Sequence, residues 1–130
     1  MCGVASLLLA LAGCASTPRA PGVVRVVPLG AADQPYVELL GGHSGSGSME
    51  SGAVSLAPGK TVGVHDTEDY EELIIPLEGR GELRVAGRPP IAIAPGLVAY
   101  TPPHTPHDVA NVGDTAFRYV FVAARTVALP

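Results

Sequence analysis

Basic residues are scarce in this chain. Eight Lys and Arg stand against twelve Asp and Glu, for a formal charge of −4, and the basic residues form no cluster. Binding to nucleic acid through neutralised phosphates is thereby excluded as a main activity. Long helix-forming runs are also lacking. Thirteen prolines and sixteen glycines instead break the 130 residues into short pieces, as in many short strands joined by turns. Cysteine occurs only at positions 2 and 14. No nucleophile with a partnered base and no phosphate-cradling glycine loop stands out. The length allows one domain with a real core.

The N-terminal segment reads as an export signal. Residues 4–12 (VASLLLALA) are apolar, too short to span a bilayer and of the right length for the core of a signal peptide. They run into Leu11, Ala12, Gly13 and Cys14, which resembles the lipobox of bacterial lipoproteins. The resemblance implies cleavage after residue 13, lipidation of Cys14, and a membrane anchor on an exported protein (periplasmic or outer-membrane-associated in a Gram-negative organism). Residues 1–3 carry no Lys or Arg, a departure from the usual positive leader. Either the start lies upstream of Met1 or export is inefficient. Cleavage would remove Cys2 and leave no disulfide. Residues 14–22, with two prolines, read as a tether, and residues 23–130 as the folded domain. No other segment is apolar and long enough to be transmembrane.

Past the tether the pattern is period 2, not 3.6. Strands are expected at residues 23–28, at Tyr36–Leu40, at 53–57, at 61–65 and at 72–77. Further strands are expected at 82–86, 91–94, 97–101, 107–111 and 115–123. The last is the strongest, with Phe117, Tyr119 and Phe121 on one face and Arg118, Val120 and Val122 on the other. Pro76 within its strand signals a bulge or an edge. About ten short strands at spacings of roughly 8–12 residues describe an all-β sandwich or barrel. His43, in the run GGHSGSGS, reads as an exposed loop histidine.

Two stretches carry chemistry. Residues 59–81 (GKTVGVHDTEDYEELIIPLEGRG) bring His65 and, before Leu73, five carboxylates into two strands facing each other across an acidic loop. An imidazole and a carboxylate on facing strands are half of a metal site, and the local negative charge favours a cation. Residues 96–111 add His104 and His107 among prolines 102, 103 and 106.

Together these stretches resemble the two motifs of the cupin family. Gly59, His65, Glu72 and Gly79 fall at the spacings of the first motif, with Thr67 where a second histidine is usual. Gly96, Pro102, His107 and Asn111 fit the second, with His104 where glycine is usual. The resemblance implies an antiparallel β-barrel of the double-stranded jelly-roll type, often dimeric. It implies His65, Glu72 and His107 as ligands of one divalent metal ion: Fe, Mn, Ni, Co or Zn. Glu72 is preferred over Glu71, because adjacent strand residues face opposite ways. Asn111 and the motif glycines read as turn and packing residues. Two alternatives follow from Thr67. Two histidines and one carboxylate leave open coordination positions, or His104 swings in and completes a set of three histidines and one glutamate. The expected function is a metal-dependent cupin of the cell envelope acting on a small molecule, as an oxygenase or isomerase. The alternative is a non-enzymatic cupin that binds or senses a small ligand.

Overall fold

The computed structural model describes residues 22–42 and 46–127. The expected signal peptide, Cys14 and His43 lie outside the described residues. Among the described residues there are nine strands and no helix. They are β1 (Tyr36–Leu40), β2 (Met49–Leu56), β3 (His65–Asp66), β4 (Tyr70–Glu78), β5 (Gly81–Val85), β6 (Ile91–Ile93), β7 (Ala99–Thr101), β8 (Pro106–Asn111) and β9 (Phe117–Arg125). All pairings are antiparallel. One sheet has the order β1-β2-β9-β4-β7, the other β3-β8-β5-β6. This is the expected all-β jelly roll.

The inner faces follow from alternation. β4 turns Tyr70, Glu72, Ile74 and Pro76 inward and leaves Leu73 and Leu77 partly exposed on the other side. β9 sends Phe117 and Tyr119 inward, in register with Leu56 and Val54 of β2. The second sheet supplies Leu83, Ile93 and Val109 to the same core. Phe117 and Ile74 are fully buried, and each contributes about 1.5–3 kcal/mol through lost contact with water. Pro76, which has no N–H for the ladder, coincides with a register shift between Pro76 and Glu78. The bulge expected there is present. Gly79 then turns the chain at φ +80, where a Cβ would meet the Ala116 carbonyl oxygen at 2.3 Å.

Two expected strands differ. Residues 23–28 form no strand: Val23, Val24 and Val26 are 86%, 95% and 98% exposed. β1 takes the edge of its sheet and residues 23–28 belong to neither sheet; β-branched residues alone do not make a strand. Residues 61–65 make only a bridge, Thr61 to Ala110, before β3 begins at His65. Between them Gly63 sits at φ +96 and interrupts the ladder. The segment still follows β8, through Asn111 N–H to Lys60 O (2.9 Å), Val62 N–H to Val109 O (3.0 Å) and Gly63 N–H to the Asp108 carboxylate (2.9 Å).

Candidate metal centre

The pairing of β3 with β8 places His65 directly opposite His107. Their rings lie 4.3 Å apart, tilted by 55°. Glu72 reaches the pair from β4 in the other sheet, its Oε1 3.3 Å from His107 Nε2. One ligand atom from each of His65, Glu72 and His107 lies within 4.8 Å of the other two. Three residues spread over more than forty positions thus converge because period-2 side chains of two facing sheets point inward.

Both imidazoles are oriented in the same way. His65 Nδ1 meets the Gly63 carbonyl at 2.9 Å, and His107 Nδ1 meets the Thr105 carbonyl at 3.0 Å. A carbonyl only accepts, so each Nδ1 carries the proton and donates it. In the neutral ring Nε2 is then the lone-pair nitrogen aimed at the centre. His107 is fully buried, His65 exposed toward solvent. Burial lowers the His107 pKa, but hydrogen bonds to Glu72 and to the Thr105 carbonyl, with the charges of Glu72 and Asp108, outweigh it. The group sits above its ordinary 6.5.

The donor set fits a divalent ion. Bonds of about 2.0–2.2 Å hold ligand atoms roughly 3–4 Å apart, so small side-chain rotations close this set around one ion. Two imidazoles and a carboxylate suit Fe, Mn, Co, Ni or Zn and leave coordination positions free. Thr101 gives a further sign of a polar centre. It pairs directly with Glu72, is 1% exposed, and its Oγ1 has no hydrogen-bond partner among the described residues.

The other candidates are placed elsewhere. Thr67 is buried, and its hydroxyl donates to the Pro102 carbonyl (2.7 Å) while accepting from Thr105 N–H (3.0 Å). It pins the 102–105 loop rather than facing the centre. His104 is not brought to the group. Its backbone sits at φ +53 with N–H bonded to Glu68 O, and its exposed ring approaches Asp69 at 3.6 Å. Glu71 points outward and accepts from the Tyr100 hydroxyl at 3.1 Å. Asn111 is structural, as expected: Nδ2 donates to Leu56 O and Thr115 O, and Oδ1 accepts from Gly113 N–H, each at 2.8 Å.

A cavity of about 760 Å³ opens beside the centre, walled by His65 and Glu72 and by the apolar side chains of Val54, Leu56, Tyr119 and Phe121. Sequence reading missed two residues, Thr101 opposite Glu72 and Arg125 on the cavity wall. Thr101 was detectable in LVAYT, where alternation places it on one face with the buried Ala99. Arg125 lies just past the segment read as the last strand, at the end of a longer β9.

The cupin-domain family profile matches residues 52–123, more than half of the chain. The chain belongs to the cupin family. As a cupin it shares its fold with many solved structures. A predicted oxalate decarboxylase from Thermotoga maritima is similar over 70% of this chain and 79% of its own, at 25% identity and TM-score 0.64. A Cupin 2 conserved barrel domain protein from Salinispora arenicola matches 82% of this cupin and 91% of its own chain, at 25% identity and TM-score 0.62. An RmlC-like cupin from Methanocaldococcus jannaschii, with a double-stranded β-helix fold, reaches TM-score 0.67 over 81% of this chain and 94% of its own. At 16% identity it speaks for the fold alone. No curated protein matches the sequence.

Proposed function

We propose that this cupin binds one divalent metal ion through His65, Glu72 and His107 and acts on a small molecule in the adjoining cavity, as a non-haem oxygenase or an isomerase. The observation that carries the reading is the convergence of three ligand atoms, from three strands, within 4.8 Å at the wall of a 760 Å³ cavity. A structural site is closed by four protein ligands, whereas three leave room for substrate. The bound ion supplies Lewis acidity or one-electron chemistry. The chain's own residues do the rest. The Gly63 and Thr105 carbonyls hold both imidazoles in the ligating tautomer, and Val54, Leu56 and Phe121 keep the cavity wall apolar. With Thr67 bound to the loop and His104 turned to Asp69, the reading takes three protein ligands, not four.

The test is metal content after reconstitution with Fe(II), Mn(II), Co(II), Ni(II) or Zn(II), in wild type and in His107→Ala and Glu72→Gln. Wild type is expected to retain one equivalent and the variants little. Equal, negligible metal in all three refutes the centre. Oxygen uptake against a substrate panel then separates oxygenase from isomerase.

Attachment to the envelope through Cys14 and assembly as a homodimer belong to the same proposal. The lipobox resemblance at residues 11–14 supports the first. Incorporation of labelled palmitate is expected in wild type and not in Cys14→Ser, and label that persists in the variant rejects the anchor.

A further inference from the structure

We infer that the cavity takes a small ligand bearing a carboxylate, which Arg125 receives at the cavity mouth. The inference rests on the metal-centre reading and deepens it. Arg125 ends the inward-facing series Phe117, Tyr119, Phe121 and Ala123 of β9 and lines the same cavity as His65 and Glu72. The register fixes its place. Glu72 pairs with Ala123 and Tyr70 with Arg125, so Arg125 stands one period-2 step, about 7 Å along the strand, outward from the carboxylate ligand.

The arm is held in position. Arg125 N–H donates to Ser48 O and Thr126 N–H to Asp69 O, both at 2.8 Å, so the end of β9 is fastened on two sides. The guanidinium carbon lies 5.5 Å over the Tyr70 ring, and the guanidinium also hydrogen-bonds the Tyr70 side chain, with Asp69 and Glu50 close enough to act on its charge. Among the described residues no carboxylate lies within 4.0 Å of the guanidinium. Tyr70 takes only part of the five-donor guanidinium fork, and the remaining donors, without an ion-pair partner, suit a carboxylate in two parallel hydrogen bonds.

Charge sets the ligand's direction. Apart from Arg125, His65 and the tyrosines, every ionisable side chain lining the cavity is a carboxylate: Glu50, Asp66, Glu68 and Glu72. A negative end of a ligand therefore has one side chain to meet, and the acidic remainder penalises placing it anywhere else on the wall. Its carbon body lies against the Tyr36–Phe121 pair, whose rings are stacked at 6.4 Å. Its other end faces the metal centre.

The experiment is calorimetric titration of the Co(II)-loaded full-length protein with succinate, glutarate, succinamide and butane-1,4-diamine. Wild type, Arg125→Gln and Arg125→Lys are compared, with metal content and melting temperature recorded for each. A dicarboxylate is expected to bind saturably, with succinamide and the diamine at least about tenfold weaker. Arg125→Gln should weaken the dicarboxylate about tenfold to a hundredfold at unchanged metal content, and Arg125→Lys should recover part of the loss. Undiminished dicarboxylate binding in Arg125→Gln overturns the inference. So does succinamide or the diamine binding as tightly as the dicarboxylate, or no dicarboxylate binding at all. When the protein holds one metal equivalent in such a case, the metal centre stands and the carboxylate assignment alone falls. Wild type that takes up no metal overturns the centre, and the inference with it.

Discussion

Thr67 and His104 occupy the two positions where this chain departs from the cupin motifs, and each has a backbone reason. The Thr67 hydroxyl links the Pro102 carbonyl to Thr105 N–H, and the Thr105 carbonyl in turn orients His107. Thr67→Val leaves both backbone groups without a partner. The expected cost is about 2–3 kcal/mol in urea unfolding, with weaker metal retention because the carbonyl behind His107 is no longer held. Unchanged stability would show that the two hydrogen bonds are replaced by water. His104 stands at φ +53, the left-handed region that explains why glycine is usual at this position. The side chain is thereby turned away from strand alternation, which a motif spacing alone does not reveal. His107 gives the pH dependence. Its folded pKa is raised above 6.5, so its contribution to the stability of the metal-free protein is complete below 6.5 and is lost as pH rises through the folded value. Metal requires the unprotonated Nε2, so retention of the ion must move the other way and improve over that same range. Unfolding midpoints of metal-free and metal-loaded protein, measured across pH, are expected to diverge as pH rises; parallel curves would remove His107 as a ligand.

At the scale of strands, legibility followed pairing. β4, β5 and β9 were readable because each alternates cleanly and is buried on one face between partners. Residues 23–28 alternate less cleanly and have β-branched residues, but a strand needs a ladder, and β1 already holds the sheet edge. Sequence carries propensity, not the presence of a neighbour. The same limit hid Arg125, which is inward-facing only because β9 runs on to pair with Tyr70. The ligand trio was legible because spacing within two motifs encodes which strand positions share a face. Its depth was not: His107 is buried and His65 open to solvent although they pair directly. The tight turn that carries the chain from β4 in one sheet to β5 in the other offers an element-scale test. Gly79 combines φ +80 with a Cβ position 2.3 Å from a backbone oxygen of the β9 entry, so neither a rotamer change nor a side-chain shift relieves a substitution. Gly79→Ala is expected to cost roughly 2–4 kcal/mol by thermal or urea unfolding. Gly87→Ala, also at positive φ but with open space around its Cβ, is expected to cost less. Equal effects would show that backbone conformation alone, and not the approach of β9, sets the requirement for glycine.

For the whole molecule, the outer face of the five-stranded sheet is the feature the monomer leaves unexplained. Two neighbouring rows at its middle are mainly apolar: Tyr100, Leu73 and Val122 lie side by side, with Ser51 beyond them, and in the next row Ile75, Val120 and Ala53. Tyr100 is 55% and Leu73 40% exposed, with Leu77 adding 36% at the end of β4. Isolated exposed hydrophobics are ordinary, but a patch contiguous across neighbouring strands is the mark of a contact surface. A second copy of the chain is the partner expected from the homodimer proposal, since a two-fold axis through the patch sets its rows against themselves with no charge to desolvate in either row. Leu73→Asp places two carboxylates close to that axis. Sedimentation equilibrium is expected to show a dimer for wild type and a monomer for Leu73→Asp, with the metal content of both at one equivalent, because Leu73 faces away from Glu72 on the same strand. A monomeric wild type would remove the homodimer. A variant that loses metal along with the dimer would instead mean that the two sheets hold their register, and the His65–Glu72–His107 spacing with it, only when paired.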